Sequence, residues 1–541
     1  MMEIKEFIGT LEKKNFSLAV ENEKLILKGD RKKLTADEIE DIKKNEFIIN
    51  YIKERKSEII QYLSQLPASY PAERKTKSVA SIYPLSGLQM GMLFHGLYDE
   101  ETRAYIQQFG CDLFGVVEYV FCKSWNHVLQ CHSVLRSSFY YDEFSEPVQC
   151  VYNDVELPIV ILDYRNMNET EQKEALKKYE EADYNKGFDF KAVPLMRMAL
   201  IRLNENQYRM LWTFHHILFD GWSLPVLLEE FLNAYELLIS GKPLQLEKED
   251  RYEDFISYLE IRDKEGDETY WLNYLKDVEQ STLLPFIRST AERTKVAGKF
   301  RSEELQLSTA TISKILAYTR YNRITLNTLM QGVWSYLLHR YTGCGVIVFG
   351  TIVSTRPDDL PNIEQRVGMY INNLPLRSHM EEESGIVEWL QNLQQEQASS
   401  RQYQYTILND IQSWTSVQGE LFDSLLTFEN YPVSDDFFSD QRRLSFRNLY
   451  HNGQSNYPLT IIINSIGQIK IEFKYNSNLL EETHVKEIRQ HFENVLLQIV
   501  DKANGKLKDI NYLTSFEQQQ LLHGFNSCEV AYPKHHTLVS L

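Results

Sequence analysis

The stretch "LWTFHHILFDGWSL", Leu211 to Leu224, decides how the rest of the chain reads. Alternating residues lead into two adjacent histidines, and an Asp-Gly pair follows. In a strand, successive side chains point to opposite faces. Met210, Trp212, Phe214 and His216 then share one face, and Leu211, Thr213 and His215 the other. A pocket on either side meets only one of the two histidines. That argues against a shared metal, and no His-x-x-x-His or Cys/His cluster elsewhere offers ligands. Asp220-Gly221 predicts a turn ending the strand, where Asp bonds nearby backbone and Gly can take a positive φ. A buried anionic Asp needs a cationic partner. Arg136, at a helix-to-strand transition in "CHSVLRSSFYY", is the candidate. Without a further signal, the block also fits a core strand with a satisfied histidine and a turn.

Outward from this block, the 541 residues are too many for one core and predict two or three folding units. A formal charge of −18 argues against nucleic acid as a partner, because phosphate neutralisation needs clustered Lys and Arg. No apolar run is long enough to span a bilayer. The N-terminus, MMEIKEFIGT, is no secretion signal, since it carries acidic residues and lacks an apolar core. The six cysteines show no C-x-x-C spacing, so buried free thiols in a reducing, cytoplasmic setting are expected.

The first sixty residues hold 13 Lys/Arg and 13 Asp/Glu, so they are neutral while the remainder carries the negative excess. Phe16, Leu18 and Val20, then Leu25 and Leu27, alternate around a polar Glu21-Asn22-Glu23 turn and predict a β-hairpin. One helical pattern precedes it, and two follow, the first capped by Thr35. Together they make a small αββαα unit over residues 1–64. Residues 65–80, "QLPASYPAERKTKSVA", read as a linker. Mixed α/β patterning follows. Phe255–Leu275 and Thr311–Tyr341 are expected as helices, "VIVFGTIVS" (Val346–Ser354) as a strand, and Leu459–Asn476 as a hairpin turning near Gly467.

The residues from about Ile82 to Leu513 resemble the condensation domains of nonribosomal peptide synthetases. The likeness rests on seven blocks in the family's order: "YPLSGLQMGMLFH" (83–95), "HSVLRSSF" (132–139), the HHxxxDG block His215–Gly221, "YEDF" (252–255), "VGMYINNLPLR" (367–377), "YQYTILNDIQ" (403–412) and "FDSLLTFENYP" (422–432). This implies an α/β (α+β) fold of two chloramphenicol-acetyltransferase-like lobes in a V, residues 81–263 and 264–513, with a tunnel between them. Donor and acceptor carrier proteins would present thioesters at opposite mouths. The phosphopantetheine arms belong to those partners, so no cofactor is bound directly and no metal is expected.

By the same resemblance, His216 is the catalytic second histidine. It could accept a proton from the acceptor amine, orient that amine, or stabilise the tetrahedral zwitterion. An α-amine with pKa near ~8 is already partly neutral at pH 7. His215 and Asp220 are structural members, with Asp220 paired to Arg136. Gly221 lets the loop and its N–H approach the thioester carbonyl. Trp222, Ser223 and Asn373 are candidates to line the tunnel, although Asn373 also fits a plain strand-end role. "GTIVSTRP" (350–357) resembles the loop bridging the lobes, with Ser354-Thr355 where the family often has Ser-Gly.

The first and central motifs and "FDSLLTFENYP" look most like the subtype taking a donor that ends in a D-residue and an L-acceptor. Met92 stands where the L-donor subtype usually has Arg. The N-terminal unit resembles docking domains of the type known from the tubulysin pathway. Its hairpin edge could take an added strand from an upstream synthetase's C-terminal tail, with Lys24, Lys28, Arg31, Lys32 and Lys33 suiting an acidic peptide. Residues 514–541 resemble a linker and the opening of a downstream adenylation domain, cut short. The rival readings are an epimerisation domain, a coenzyme-A acyltransferase of the same fold, or a non-catalytic docking or gating module.

Overall fold

The computed structural model describes residues 16–21, 24–29, 78–98, 103, 105–245, 249–287, 298–431, 442–453, 455–465 and 468–526. Its contacts fall into two units, Met1–Ser78 and Val79–Leu541. In the first, β1 (Phe16–Glu21) pairs antiparallel with β2 (Lys24–Gly29), with Leu18 opposite Leu27 and Val20 opposite Leu25. This is the hairpin expected from the alternation. Lys24 and Lys28 fall in β2. The flanking helices, and Arg31, Lys32 and Lys33, lie outside the described residues.

The second unit is built on two large sheets and a small one. Val79 and Ala80, expected as the end of the linker, already belong to β3 (Val79–Pro84), which pairs with β6 (Val148–Tyr152) beside β5 (Ser137–Tyr140). The first large sheet contains β4 (Ile106–Phe114), β7 (Ile159–Asp163), β8 (Met196–Arg202) and β9 (Gln207–His215). Alternation along β9 works as anticipated. Met210, Trp212 and Phe214 enter the main core with the helices Glu118–Cys131 and Ser223–Ile239. Leu211 faces the other way, onto Leu176 of the helix Glu169–Lys186.

The second large sheet runs β10 (Phe300–Gln306), β16 (Lys470–Asn476), β15 (Leu459–Asn464), β13 (Ser424–Glu429), β11 (Val346–Ser354), β12 (Ile371–His379). One face carries Leu426, Ile461, Ile463, Ile471 and Phe473 into a core with the helix Leu326–Thr342, whose residues from Thr328 to Leu338 are buried on every side. A helix that is apolar around most of its circumference belongs in such a place.

Two expected long helices are each two shorter ones. The run beginning near Thr311 breaks between Thr309–Tyr321 and Leu326–Thr342, because Arg323 adopts a left-handed φ of 56° and the Thr325 side chain caps the second helix. The run near Phe255 breaks between Glu253–Ile261 and Glu265–Leu275, where the Asp263 carboxylate accepts the Glu265 N–H at 2.9 Å. The strand Val346–Ser354 and the Leu459–Asn476 hairpin form as expected.

Two segments late in the chain enter the first core. Strand β14 (Ser445–Gly453) pairs with β4 and completes the first sheet, in the order β14-β4-β9-β8-β7. Val367, Met369 and Tyr370, between β11 and β12, pack into the same core. Among the described residues, no helix is long and apolar enough to cross a membrane.

Candidate active site

Strand β9 ends at His215, where its pairing with β4 reaches Ile106. The next residue continues the approach between the strands, with the His216 N–H donating to the Tyr105 carbonyl at 2.8 Å. The chain then turns through Ile217–Trp222 and enters the helix at Ser223. Asp220 organises this turn. Its Oδ1 accepts the Ser223 N–H at 2.9 Å and hydroxyl at 2.7 Å, and its Oδ2 accepts the Tyr370 N–H at 3.1 Å. A carboxylate at the first turn of a helix also gains from the helix dipole.

The cation beside Asp220 is Arg356, not Arg136. The Arg356 Nη2 lies 3.2 Å from Oδ1 and 3.3 Å from Oδ2, and both side chains are buried. Arg356 Nη1 donates to the Ile363 and Arg366 carbonyls, and its plane lies over the Tyr370 ring at 4.4 Å. The pair therefore ties the HHxxxDG loop to the β11–β12 connection. The expected Asp220–Arg136 pairing fails because Arg136 is used elsewhere. It donates to the Leu129, Gln130 and Tyr152 carbonyls at 2.8–2.9 Å and bonds Glu249. A guanidinium at the last carbonyls of the helix Glu118–Cys131 caps that helix end. The sequence did hold Arg356, in "GTIVSTRP", but gave no means of choosing between two arginines distant along the chain.

Beside Arg136, His132 lies between two carboxylates, 3.1 Å from Asp250 and 2.6 Å from Glu230. Burial alone lowers its pKa, but the hydrogen bonds it donates to Asp250 and Glu230 outweigh this and raise it to about 9. Stability from this clamp is then complete below the ordinary value of 6.5 and is lost as pH rises through about 9. We expect denaturant unfolding to show a loss of ~3 kcal/mol between pH 6 and 10 that His132→Gln lacks.

His216 has one ring nitrogen committed. Its Nδ1 lies 2.8 Å from the Phe219 carbonyl, so Nδ1 carries the proton and Nε2 holds the lone pair. Burial lowers its pKa, while the Phe219 bond and the Asp220 charge raise it by less, so the ring is neutral near pH 7. The ring is half-buried. His215 is fixed differently. Its Nδ1 accepts the Ile217 N–H at 3.1 Å, it packs edge-on to Phe190, and burial together with His216 depresses its pKa to about 3. One histidine presents a usable lone pair, and the other is part of the core.

The remaining expected residues divide. Gly221 is needed for close approach rather than for a positive φ: a Cβ there would sit 2.1 Å from the Tyr431 hydroxyl, and its φ is not left-handed. Trp222 is half-buried and donates to the Glu364 carbonyl at 2.9 Å. Ser223, expected to line the tunnel, is fully buried and shares its hydroxyl between Asp220 and Gly368, so it braces the loop instead. Asn373 is buried on β12. Its amide donates to the Tyr457 hydroxyl at 2.5 Å, and its Oδ1 has no partner among the described residues. Sequence reading missed Tyr431, Glu429 and His451. Tyr431 and Glu429 lie in the quoted block "FDSLLTFENYP", but no spacing rule linked them to Gly221. His451 keeps exposed surface, and burial, Lys474 and His216 lower its pKa to about 3. Among the described residues, no three His, Cys, Asp or Glu side chains converge as metal ligands.

Residues 79–522 match the family model described as the condensation domain. The chain belongs to the condensation-domain family. This family comprises peptide-bond-forming enzymes of nonribosomal peptide synthetases that act on carrier-bound thioesters. The condensation domain here is 34% identical over 463 residues to bacitracin synthase 3 of Bacillus licheniformis, covering 85% of this chain and 7% of that one. It is 32% identical over 461 residues to bacitracin synthase 1 of the same organism, covering 84% of this chain and 9% of that one. The chain thus spans under a tenth of these relatives' length. Its fold matches holo-AB3403, a four-domain nonribosomal peptide synthetase bound to AMP and glycine, with a TM-score of 0.70 and 18% identity. That match covers 83% of this chain and 35% of the other.

Proposed function

We propose that this condensation domain transfers a carrier-bound peptidyl or aminoacyl group from its thioester to the amine of a carrier-bound L-aminoacyl acceptor. The observation that carries the reading is the His216 ring. It is neutral, is held by the Phe219 carbonyl through Nδ1, and leaves the Nε2 lone pair free on a half-buried ring at the HHxxxDG turn. The amine lone pair attacks the thioester carbon, and a C–N bond forms. Nε2 accepts the proton from the resulting ammonium, the C–S bond breaks, and the imidazolium returns that proton to the departing thiolate. Gly221, with no Cβ, admits the Tyr431 hydroxyl against the loop, and the loop's backbone is read as facing the thioester carbonyl. The phosphopantetheine arms enter as parts of the two substrates, each supplied by a carrier protein.

The donor is read as ending in a D-residue. Supporting this, Met92 is buried in the first core, where a cation would need a partner. The N-terminal hairpin is read as the docking element for the acidic C-terminal tail of an upstream synthetase. An antiparallel hairpin with Lys24 and Lys28 in one strand suits an added acidic strand. A downstream adenylation domain would follow in a cytoplasmic assembly. The test is dipeptide formation from matched carrier-bound donors differing only in configuration. We expect the D-donor to react faster by about tenfold or more. An equal rate, or an L-preference, overturns the subtype.

A further inference from the structure

The second large sheet packs one face into the core around the helix Leu326–Thr342, and its other face is mixed, apolar where Val348 and Leu425 join a second cluster and polar toward the end of β13. Beside the core row Leu426–Ile461–Phe473, the register sets Leu425 next to Thr460 and Lys474, Thr427 next to Ile462 and Glu472, and Glu429 next to Asn464 and Lys470. Glu429 ends β13 on this mixed face, and its backbone carbonyl accepts the Ser465 N–H at 3.2 Å. Two residues on, the Tyr431 hydroxyl lies against Gly221 of the HHxxxDG loop and hydrogen-bonds the Glu429 carboxylate. The carboxylate is therefore one hydrogen bond from the reacting loop.

The charged neighbours Glu472 and Lys474 act on Glu429 in opposite directions. Asp220 is neutralised by Arg356. Lys474 donates to the Gly453 carbonyl at 2.7 Å. His451 and His216 are neutral. Burial holds the Tyr431 hydroxyl protonated, with the Glu429 and Asp220 charges acting in the same direction. Glu429 is half-buried and forms no ion pair among the described residues. Burial raises its pKa, the Tyr431 bond lowers it, Glu472 raises it and Lys474 lowers it, with a net upward shift. A partly desolvated carboxylate without an ion-pair partner, beside a loop that must receive an amine, is a receptor for a cation.

We propose that Glu429 binds the α-ammonium of the acceptor aminoacyl thioester and removes its first proton. This rests on the peptide-forming reading above and adds a residue to it. The acceptor arrives largely as an ammonium, which has no lone pair for attack. Glu429 takes one proton and becomes the carboxylic acid, leaving the neutral amine. After attack, His216 takes the second proton and passes it to the thiolate. Glu429 returns its own proton to solvent when the product leaves. The bonds and charges balance with no other reagent.

The test compares wild type and Glu429→Gln in peptide formation with two acceptors. One is an ordinary aminoacyl thioester, and the other is its α-aminooxy analogue, whose nitrogen is neutral at pH 7. For the amine we expect kcat/KM to fall by about 10- to 100-fold at pH 7 and to recover toward pH 9, as the acceptor deprotonates in solution. For the aminooxy acceptor we expect little change. Glu429→Asp, which keeps the carboxylate, should restore part of the amine rate. An equal loss with both acceptors, or no loss with either, overturns the assignment. If wild type joins neither acceptor to the donor, the peptide-forming reading fails instead.

Discussion

Replacing His216 with alanine is expected to slow peptide formation by about 10²- to 10⁴-fold while leaving the fold intact. Among the described residues the ring makes one hydrogen bond, to the Phe219 carbonyl, and it is only half-buried, so little stability depends on it. In the proposed reaction this removes the group that would take the ammonium proton of the tetrahedral intermediate and return it to sulfur. The pH dependence follows from the same geometry. Because burial holds the His216 pKa below the ordinary 6.5, its lone pair is available throughout the neutral range. Any fall in rate from its protonation therefore belongs to the acid side of that value. Single-turnover rates with preloaded carriers, measured from pH 5 to 9, check both parts. His216→Asn could keep the bond to Phe219 but cannot carry the proton, so it should be nearly as slow as His216→Ala.

The second large effect is structural. Arg356→Ala leaves the fully buried Asp220 carboxylate with its three hydrogen bonds from Ser223 and Tyr370 but without its cation. Breaking one side of a buried pair costs about 3–5 kcal/mol, because the remaining charge stays desolvated. The loss here is compounded, since Arg356 also holds the Ile363 and Arg366 carbonyls. Denaturant unfolding should show this loss. The double variant Arg356→Ala/Asp220→Asn should be less destabilised than the two single changes summed, since it no longer strands a charge. Arg136→Ala should not couple to Asp220 in the same cycle, because the two side chains have separate partners.

Much of this was legible in the sequence because it depended on local periodicity. The alternation of Met210, Trp212 and Phe214 against Leu211 holds, and the hairpins Phe16–Gly29 and Leu459–Asn476 form. The separation of the two histidines also holds, but for a modified reason. His215 is the last strand residue, and His216 escapes the core because the chain has already begun to turn. What stayed hidden depended on contacts between distant segments. Arg356 and Arg136 are equally plausible cations for Asp220 until the fold shows which one reaches it. The insertion of β14 into the first sheet, more than 300 residues from its partner β4, has no local signal. Gly221 illustrates the same limit. Its lack of a side chain was visible, but the Tyr431 hydroxyl that requires the space comes from another part of the chain.

The central claim is that this condensation domain joins a donor acyl group to an acceptor amine. The most direct measurement is the intact mass of both carrier proteins after a single turnover with the full chain. The account predicts that the acceptor carrier gains the mass of the donor acyl group while the donor carrier loses it. An acceptor carrier of unchanged mass, whether the donor carrier stays loaded or is emptied by hydrolysis, would contradict it.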